Sequence, residues 1–144
     1  RFLKLYKKFP TPKQVFNTSD KKLKDTGISG TKINYIKGLS KQIIQKEIDF
    51  RKISKLKDEQ VIEELTKIKG IGNWTAQIYL MFCLERKDVF PVGDLGIQKG
   101  IRDLFSLKEL PNAKTMEKYS ARWKPNRSIA CWYIWKSQRI NSIG

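Results

Sequence analysis

Apolar residues along this chain recur every three to four positions, the period of a helix, and no run alternates long enough to make a convincing strand. Phe2, Leu5, Tyr6 and Phe9 share one helical face, which Pro10 and Pro12 end. Val15 and Phe16 begin a short helix, and Ser19-Asp20 cap the next, which carries Leu23. Gly27 and Gly30 bracket a turn; Thr31 caps a long helix with Ile33, Ile36, Leu39, Ile43 and Ile44 on its apolar side. Asp58 opens a helix through Val61, Ile62 and Leu65. Residues 74–84 are apolar on most faces (Ile78, Leu80, Met81, Phe82, Leu84), which predicts a helix through the centre of the fold. Residues 95–105 make an amphipathic helix. Residues 127–137 make the last one, with Trp132 and Trp135 read as core on a helix apolar most of the way round. The pattern predicts an all-α fold with short loops and no repeat.

Composition sharpens this. A chain of 144 residues, 40% hydrophobic, is one domain able to bury a core. Thirty Lys and Arg against fourteen Asp and Glu leave a net charge of +16 and a pI near 9.9. Such an excess favours a polyanionic partner, because phosphate contacts release counterions and gain affinity. No window reaches the roughly 18 apolar residues of a membrane helix, and Arg1-Phe2-Leu3-Lys4 is too short and charged for a signal peptide. Cys83 and Cys131 lie in apolar surroundings and read as buried thiols of an intracellular protein. Histidine is absent, so Ser-His and Cys-His nucleophile pairs and the usual zinc ligand sets are excluded.

Two local features carry candidate chemistry. The first is Leu65-Thr66-Lys67-Ile68-Lys69-Gly70-Ile71-Gly72-Asn73-Trp74-Thr75-Ala76, a helix, a Gly-x-Gly hairpin over 68–72 and a second helix. Glycine tolerates positive φ and lets a ligand approach the backbone. Successive N–H groups there, with the free N–H groups starting the next helix, form a concave anion site. A DNA phosphate is expected against the main chain of Gly70, Gly72 and Trp74, with Lys69, Ile71, Asn73 and Thr75 alongside; Asn73 is placed to cap the second helix. The second feature is Asp94, in the Pro/Gly loop Phe90-Pro91-Val92-Gly93-Asp94 and at the start of a helix. One role for it is an N-cap. Another is a fixed carboxylate that stabilises a cation-like sugar and orients an attacking water; the two roles are compatible. Asp88, in the turn Glu85-Arg86-Lys87-Asp88, reads as solvated.

The hairpin followed about twenty residues later by Asp94 resembles the helix-hairpin-helix, Gly/Pro-Asp superfamily of DNA glycosylases. Within it, Gly72-x-Trp74-Thr75-Ala76, Asp88-Val89-Phe90-Pro91-x-Gly93-Asp94-Leu95-Gly96-Ile97 and Trp123-x-Pro125-x-Arg127-Ser128-x-Ala130 are similar to the 3-methyladenine DNA glycosylase II family. So are Gly27-Ile28-Ser29 with Lys32 and the Ile33-Tyr35-Ile36-Leu39 spacing. The resemblance implies a two-lobed helical fold within a single catalytic domain over 1–144. Residues 19–110 would form the central lobe, with 1–18 and 111–144 as the second. It also implies an N-terminal helix and a DNA wedge that precede Arg1.

By resemblance Asp94 is the catalytic carboxylate, and Trp74, Ile78 and Trp123 form the base pocket. Arg127 contacts a phosphate or the catalytic loop. Carbonyls of Thr66, Ile68 and Ile71 hold a Na+ or K+ ion, and no other cofactor is implied. The implied activity is base excision from damaged double-stranded DNA by a monomer, in cytoplasm, nucleoid or nucleus. The superfamily's strand-cutting members use a lysine where Trp74 stands, so a monofunctional enzyme is implied that releases alkylated purines and leaves an abasic site. The iron–sulphur branch needs four cysteines in its C-terminal loop, against two in this whole chain. Ile78 replaces an aromatic and Lys69 a proline common in the family. The alternative is a helix-hairpin-helix module that grips DNA without chemistry, and a bifunctional lyase using Lys99 is a third reading.

Overall fold

The computed structural model describes residues 1–140, with the helical backbone alone for 139 and 140. Every regular element among the described residues is helical. The chain divides into two compact units, the first ending at Ile71 and the second beginning at Gly72.

In the first unit a 3₁₀ turn over Phe2–Leu5 precedes α1 (Pro12–Asn17), α2 (Asp20–Asp25), α3 (Gly30–Ile44), α4 (Phe50–Ile53) and α5 (Asp58–Thr66). Both α1 and α2 pack on α3. Of the apolar positions predicted for these elements Val15, Leu23, Ile33, Val61 and Leu65 are buried, with Ile68 of the hairpin; Ile36, Leu39, Ile43 and Ile62 are half-buried, and Phe16 and Ile44 stand exposed. The predicted N-terminal helix is only a 3₁₀ turn, because Pro10 and Pro12 leave too little chain to propagate it, and Phe9 stands exposed. Ser29, not Thr31, caps α3: its hydroxyl accepts from the Lys32 N–H at 3.4 Å, so the helix starts one residue before Thr31.

The second unit holds α6 (Asn73–Phe82), α7 (Leu95–Leu104), α8 (Ala113–Ser120), a 3₁₀ turn over Ala121–Trp123 and α9 (Arg127–Ile140). The central packing is α7 on α9. Glycines at four-residue spacing on α7 make that close approach feasible. A Cβ on Gly100 would fall 2.2 Å from Ile134 Cγ2, and one on Gly96 3.1 Å from the Trp135 ring. Ile97, Ile101, Met116, Cys131 and Ile134 fill the space around this crossing.

Three expectations are corrected here. Helix α6 is not central on all faces: Ala76, Leu80 and Met81 are buried, whereas Phe82 is 57% exposed. Trp132 is half exposed rather than core. Cys83 is exposed, and only Cys131 is a buried thiol, its pKa pushed up to about 12 chiefly by burial.

Candidate active site

The loop from Val89 to Asp94 is anchored by apolar side chains before it presents its carboxylate, with Val89, Phe90 and Pro91 all buried. Two residues that open α9 clamp its approach. Arg127 donates from Nε to Asp88 Oδ1 at 2.6 Å and from one terminal nitrogen to Oδ2 and to the Asp88 carbonyl, both at 2.9 Å. Ser128 Oγ accepts from the Val89 N–H at 3.0 Å and donates to the Arg86 carbonyl at 2.7 Å. Asp88 is therefore not the solvated residue expected: the Arg127 fork holds its carboxyl below the usual carboxylate range. Arg127 is correspondingly committed to that clamp, which accounts for its side chain without a phosphate.

Asp94 begins α7 as its N-cap, with Oδ1 accepting from the Ile97 N–H at 2.8 Å. The same Oδ1 accepts from Trp135 Nε1 at 2.9 Å, and Oδ2 accepts from Trp74 Nε1 at 2.7 Å. Three N–H donors thus converge on one carboxylate that is 8% exposed. An acceptor-only group held this way cannot rotate without breaking a charge-assisted bond. Among the described residues Oδ2 accepts from Trp74 alone, which leaves a lone pair for a further donor such as water.

Trp74 stands on the first turn of α6 and Trp135 on the third turn of α9. Trp135 stacks on Phe82 with ring centroids 5.9 Å apart. These two rings, Trp132 and Lys136 line a cavity of about 370 Å³. Asp94 does not itself line it, and its link to that wall is the Trp135 indole. Trp135, expected in the core, instead bonds to the candidate catalytic carboxylate. The Trp132-x-x-Trp135 spacing does not single it out: residues three apart share a helix face and both rings line this cavity, yet Trp135 alone of the two bonds to Asp94 among the described residues.

Of the remaining expected pocket residues, Trp123 stands apart. Trp123 belongs to a different cluster: it lies against Phe90 and Phe105 and lines a cavity of about 480 Å³ with Leu104, Ile129 and Tyr133. Ile78 is half-buried on α6. Gly72, not Asn73, is the N-cap of α6, and no side chain caps this helix. The first α6 amide bonded to the turn is that of Ala76, to the Gly72 carbonyl. The amides of Asn73, Trp74 and Thr75 therefore head a helix whose cap offers them no side-chain acceptor, where the dipole favours an anion.

In the first unit Gly70 has φ of +93°, and a Cβ on it would fall 2.3 Å from Tyr35 Cγ, so both conformation and packing demand glycine. Lys69 beside it is exposed. The Ile71 N–H is spent within the hairpin on the Ile68 carbonyl, at 3.0 Å. That carbonyl retains one lone pair. The carbonyls expected to hold a cation, those of Thr66, Ile68 and Ile71, are neutral oxygens, and no group of three or more His, Cys, Asp or Glu that could hold a metal occurs among the described residues. Neutral oxygens without a carboxylate suit a weakly demanding monovalent cation better than a divalent one.

Comparison with known proteins places the chain in a family. Residues 1–126 match the model of the HhH-GPD superfamily base excision DNA repair proteins. The chain belongs to that superfamily. It is 36% identical over 133 residues to DNA-3-methyladenine glycosylase 1 of Schizosaccharomyces pombe, covering 92% of this chain and 58% of that protein. It is 34% identical over 137 residues to an alkylbase DNA glycosidase-like protein of the same yeast, covering 94% and 64%. Among solved structures it is similar to the Schizosaccharomyces pombe 3-methyladenine DNA glycosylase in complex with abasic DNA. The TM-score is 0.89 at 35% identity, over 96% of this chain and 69% of that one. The all-α reading and the superfamily both stand. The chain spans about 58–64% of the length of these two curated relatives.

Proposed function

We propose that this chain is a monofunctional DNA glycosylase that hydrolyses the N-glycosidic bond of alkylated purines such as 3-methyladenine in double-stranded DNA. The observation that carries the reading is Asp94, a buried carboxylate fixed by three N–H donors, two of them indoles.

In this reaction the bond from the sugar C1′ to the base nitrogen breaks and the base leaves with the electron pair. An alkylated purine that carries a positive charge leaves as a neutral base, so the enzyme supplies little acid. The sugar becomes cation-like, and the Asp94 carboxylate stabilises that charge. Oδ2 orients the water whose oxygen bonds to C1′ and accepts its proton, leaving an abasic site. A flipped cationic base needs an electron-rich wall, which the half-exposed Trp74 ring and the stacked Phe82 and Trp135 rings supply, whereas the Lys136 ammonium already lies 5.0 Å from the Trp132 ring centre.

Phosphate contacts fall to Lys69 and the Gly70 N–H in the first unit and to the Gly72, Asn73, Trp74 and Thr75 amides in the second. A Na+ or K+ ion on the Thr66, Ile68 and Ile71 carbonyls would add positive charge for a phosphate oxygen. The position two residues after Gly72 is Trp74, whose ring nitrogen is bonded to Asp94, and it offers no amine for a Schiff base.

The test is Asp94→Asn on a duplex carrying one methylated purine. The amide can keep its oxygen at the Oδ1 position, retaining the cap and the Trp135 bond, with its NH2 facing the half-exposed Trp74 indole, whose bond alone is lost. The variant therefore folds. Base release falls by about a thousandfold, on the scale of losing one preorganised electrostatic group, while binding to abasic-site DNA persists. Unchanged release would reduce the chain to a DNA-gripping module. Borohydride traps no covalent adduct; a trapped species would point to a lyase, with Lys99 the first lysine to replace.

A further inference from the structure

Helix α3 carries a glycine that its own fold does not explain. Gly38 lies in the interior of a fifteen-residue helix, where glycine is the costliest residue after proline. It is exposed, its φ is not in the left-handed region, and a Cβ there would meet nothing within 4 Å. Gly70, by contrast, is required by both φ and Tyr35. An interior helical glycine facing open space suits close approach by something outside the fold.

What surrounds Gly38 indicates the visitor's chemistry. Thr31, Asn34, Gly38, Lys41 and Gln45 follow one another at helical spacing and, with Lys69, line a groove of about 610 Å³. The groove lies wholly within the first unit and is mostly polar and uncharged, with two lysines. Glu47 is its only acidic lining residue, beyond the C-terminal end of α3. Residues 30–44 contain three lysines and no Asp or Glu. Of the three, Lys37 is paired with Asp20, whereas Lys41 faces the groove. Hydroxyl, amide and ammonium groups around a bare stretch of helix are the groups that hold sugar–phosphate backbone without reading bases.

We propose that this groove is a second seat for the backbone of duplex DNA, beside the hairpin's Lys69, with Gly38 as the point of closest approach and Lys41 as its phosphate anchor. The proposal rests on the DNA-glycosylase reading but assigns a surface that reading does not use.

Gly38→Gln separates binding from folding. Glutamine is a good helix former without charge, so the variant's Tm rises by a few degrees, while its side chain fills the groove and weakens DNA binding about tenfold. The assay is fluorescence anisotropy on a duplex with a tetrahydrofuran abasic analogue, from 50 to 300 mM KCl. Lys41→Gln lowers the slope of log affinity against log salt by about 0.9, the loss of one phosphate contact. Glu47→Gln shifts affinity the other way, about twofold tighter. Lys118→Gln, on α8, controls for loss of a charge elsewhere and leaves the slope unchanged. If Gly38→Gln binds like the parent, or Lys41→Gln and Lys118→Gln change the slope equally, the groove is not a DNA seat. Base release by the parent protein is measured in parallel, so failure of the enzymatic reading is seen separately.

Discussion

Trp135→Phe is the sharpest probe of how the site works, because it removes one N–H and little else. Phenylalanine keeps an aromatic ring against Phe82, now at 5.9 Å between centroids, and relieves the close approach to Gly96. Asp94 Oδ1 loses its 2.9 Å indole donor but keeps the Ile97 N–H at 2.8 Å, so no charge is orphaned. A hydrogen bond to a charged group contributes about 1.5–3 kcal/mol, and the surviving partner puts this one at the lower end, about 1.5 kcal/mol. If that bond serves to aim the carboxylate, its loss appears in the barrier and slows base release about tenfold. Single-turnover release of a methylated purine measures the rate. Affinity for abasic-analogue DNA and the Tm are measured on the same preparation. The expectation is a tenfold slower step with affinity within twofold of the parent. Combining it with Trp74→Phe gives a non-additive loss, since both indoles hold one carboxylate. An unchanged rate in Trp135→Phe would refute the aiming role. So would a loss wholly mirrored in affinity, which would make Trp135 a packing residue.

The two hairpin glycines part company. Gly70→Ala destabilises the first unit by about 2–4 kcal/mol, from overpacking on Tyr35 plus a strained positive φ, read by denaturant melts. Gly72→Ala, with φ of −98° and open space around its Cβ, leaves the melt unchanged yet weakens DNA binding; an equal effect of both on stability would contradict this. The Asp88–Arg127 pair gives a pH signature. Asp88's carboxyl is held below its ordinary range in the folded state, so its contribution is present above the unfolded-state value near 3.8 and is lost as pH falls through the lower folded value. The stability gap between the parent and Asp88→Asn is therefore full at pH 6 and narrows below about pH 4. A gap constant down to pH 3 would remove the ion pair as its source.

What the sequence made legible follows from how local each signal is. Helical period, the Asp58 and Asp94 starts and the glycine hairpin depend on neighbours along the chain, and they appear where expected. The α3 start was missed by a residue or two because Ser29 and Thr31 are both good caps and only backbone geometry chooses. The short α4 and α8 carry too few apolar positions to register as periodic. The errors of environment were larger. Asp88 meets Arg127 thirty-nine residues away, and Trp135 meets Asp94 across forty-one. Those pairings come from the α7–α9 crossing, which Gly96 and Gly100 permit but do not announce. A tryptophan on an apolar helix reads as filler until its partner helix is known.

Position 94 has a consequence for how the protein ages under mutation. Its side chain starts one helix, pins the indole of another and tethers a ring from a third, so the acid proposed for the chemistry is also a rivet of the second unit. Under the proposed function, a variant that loses it gives up helix cap and chemistry together, so a fall in activity is read only beside the variant's own melt.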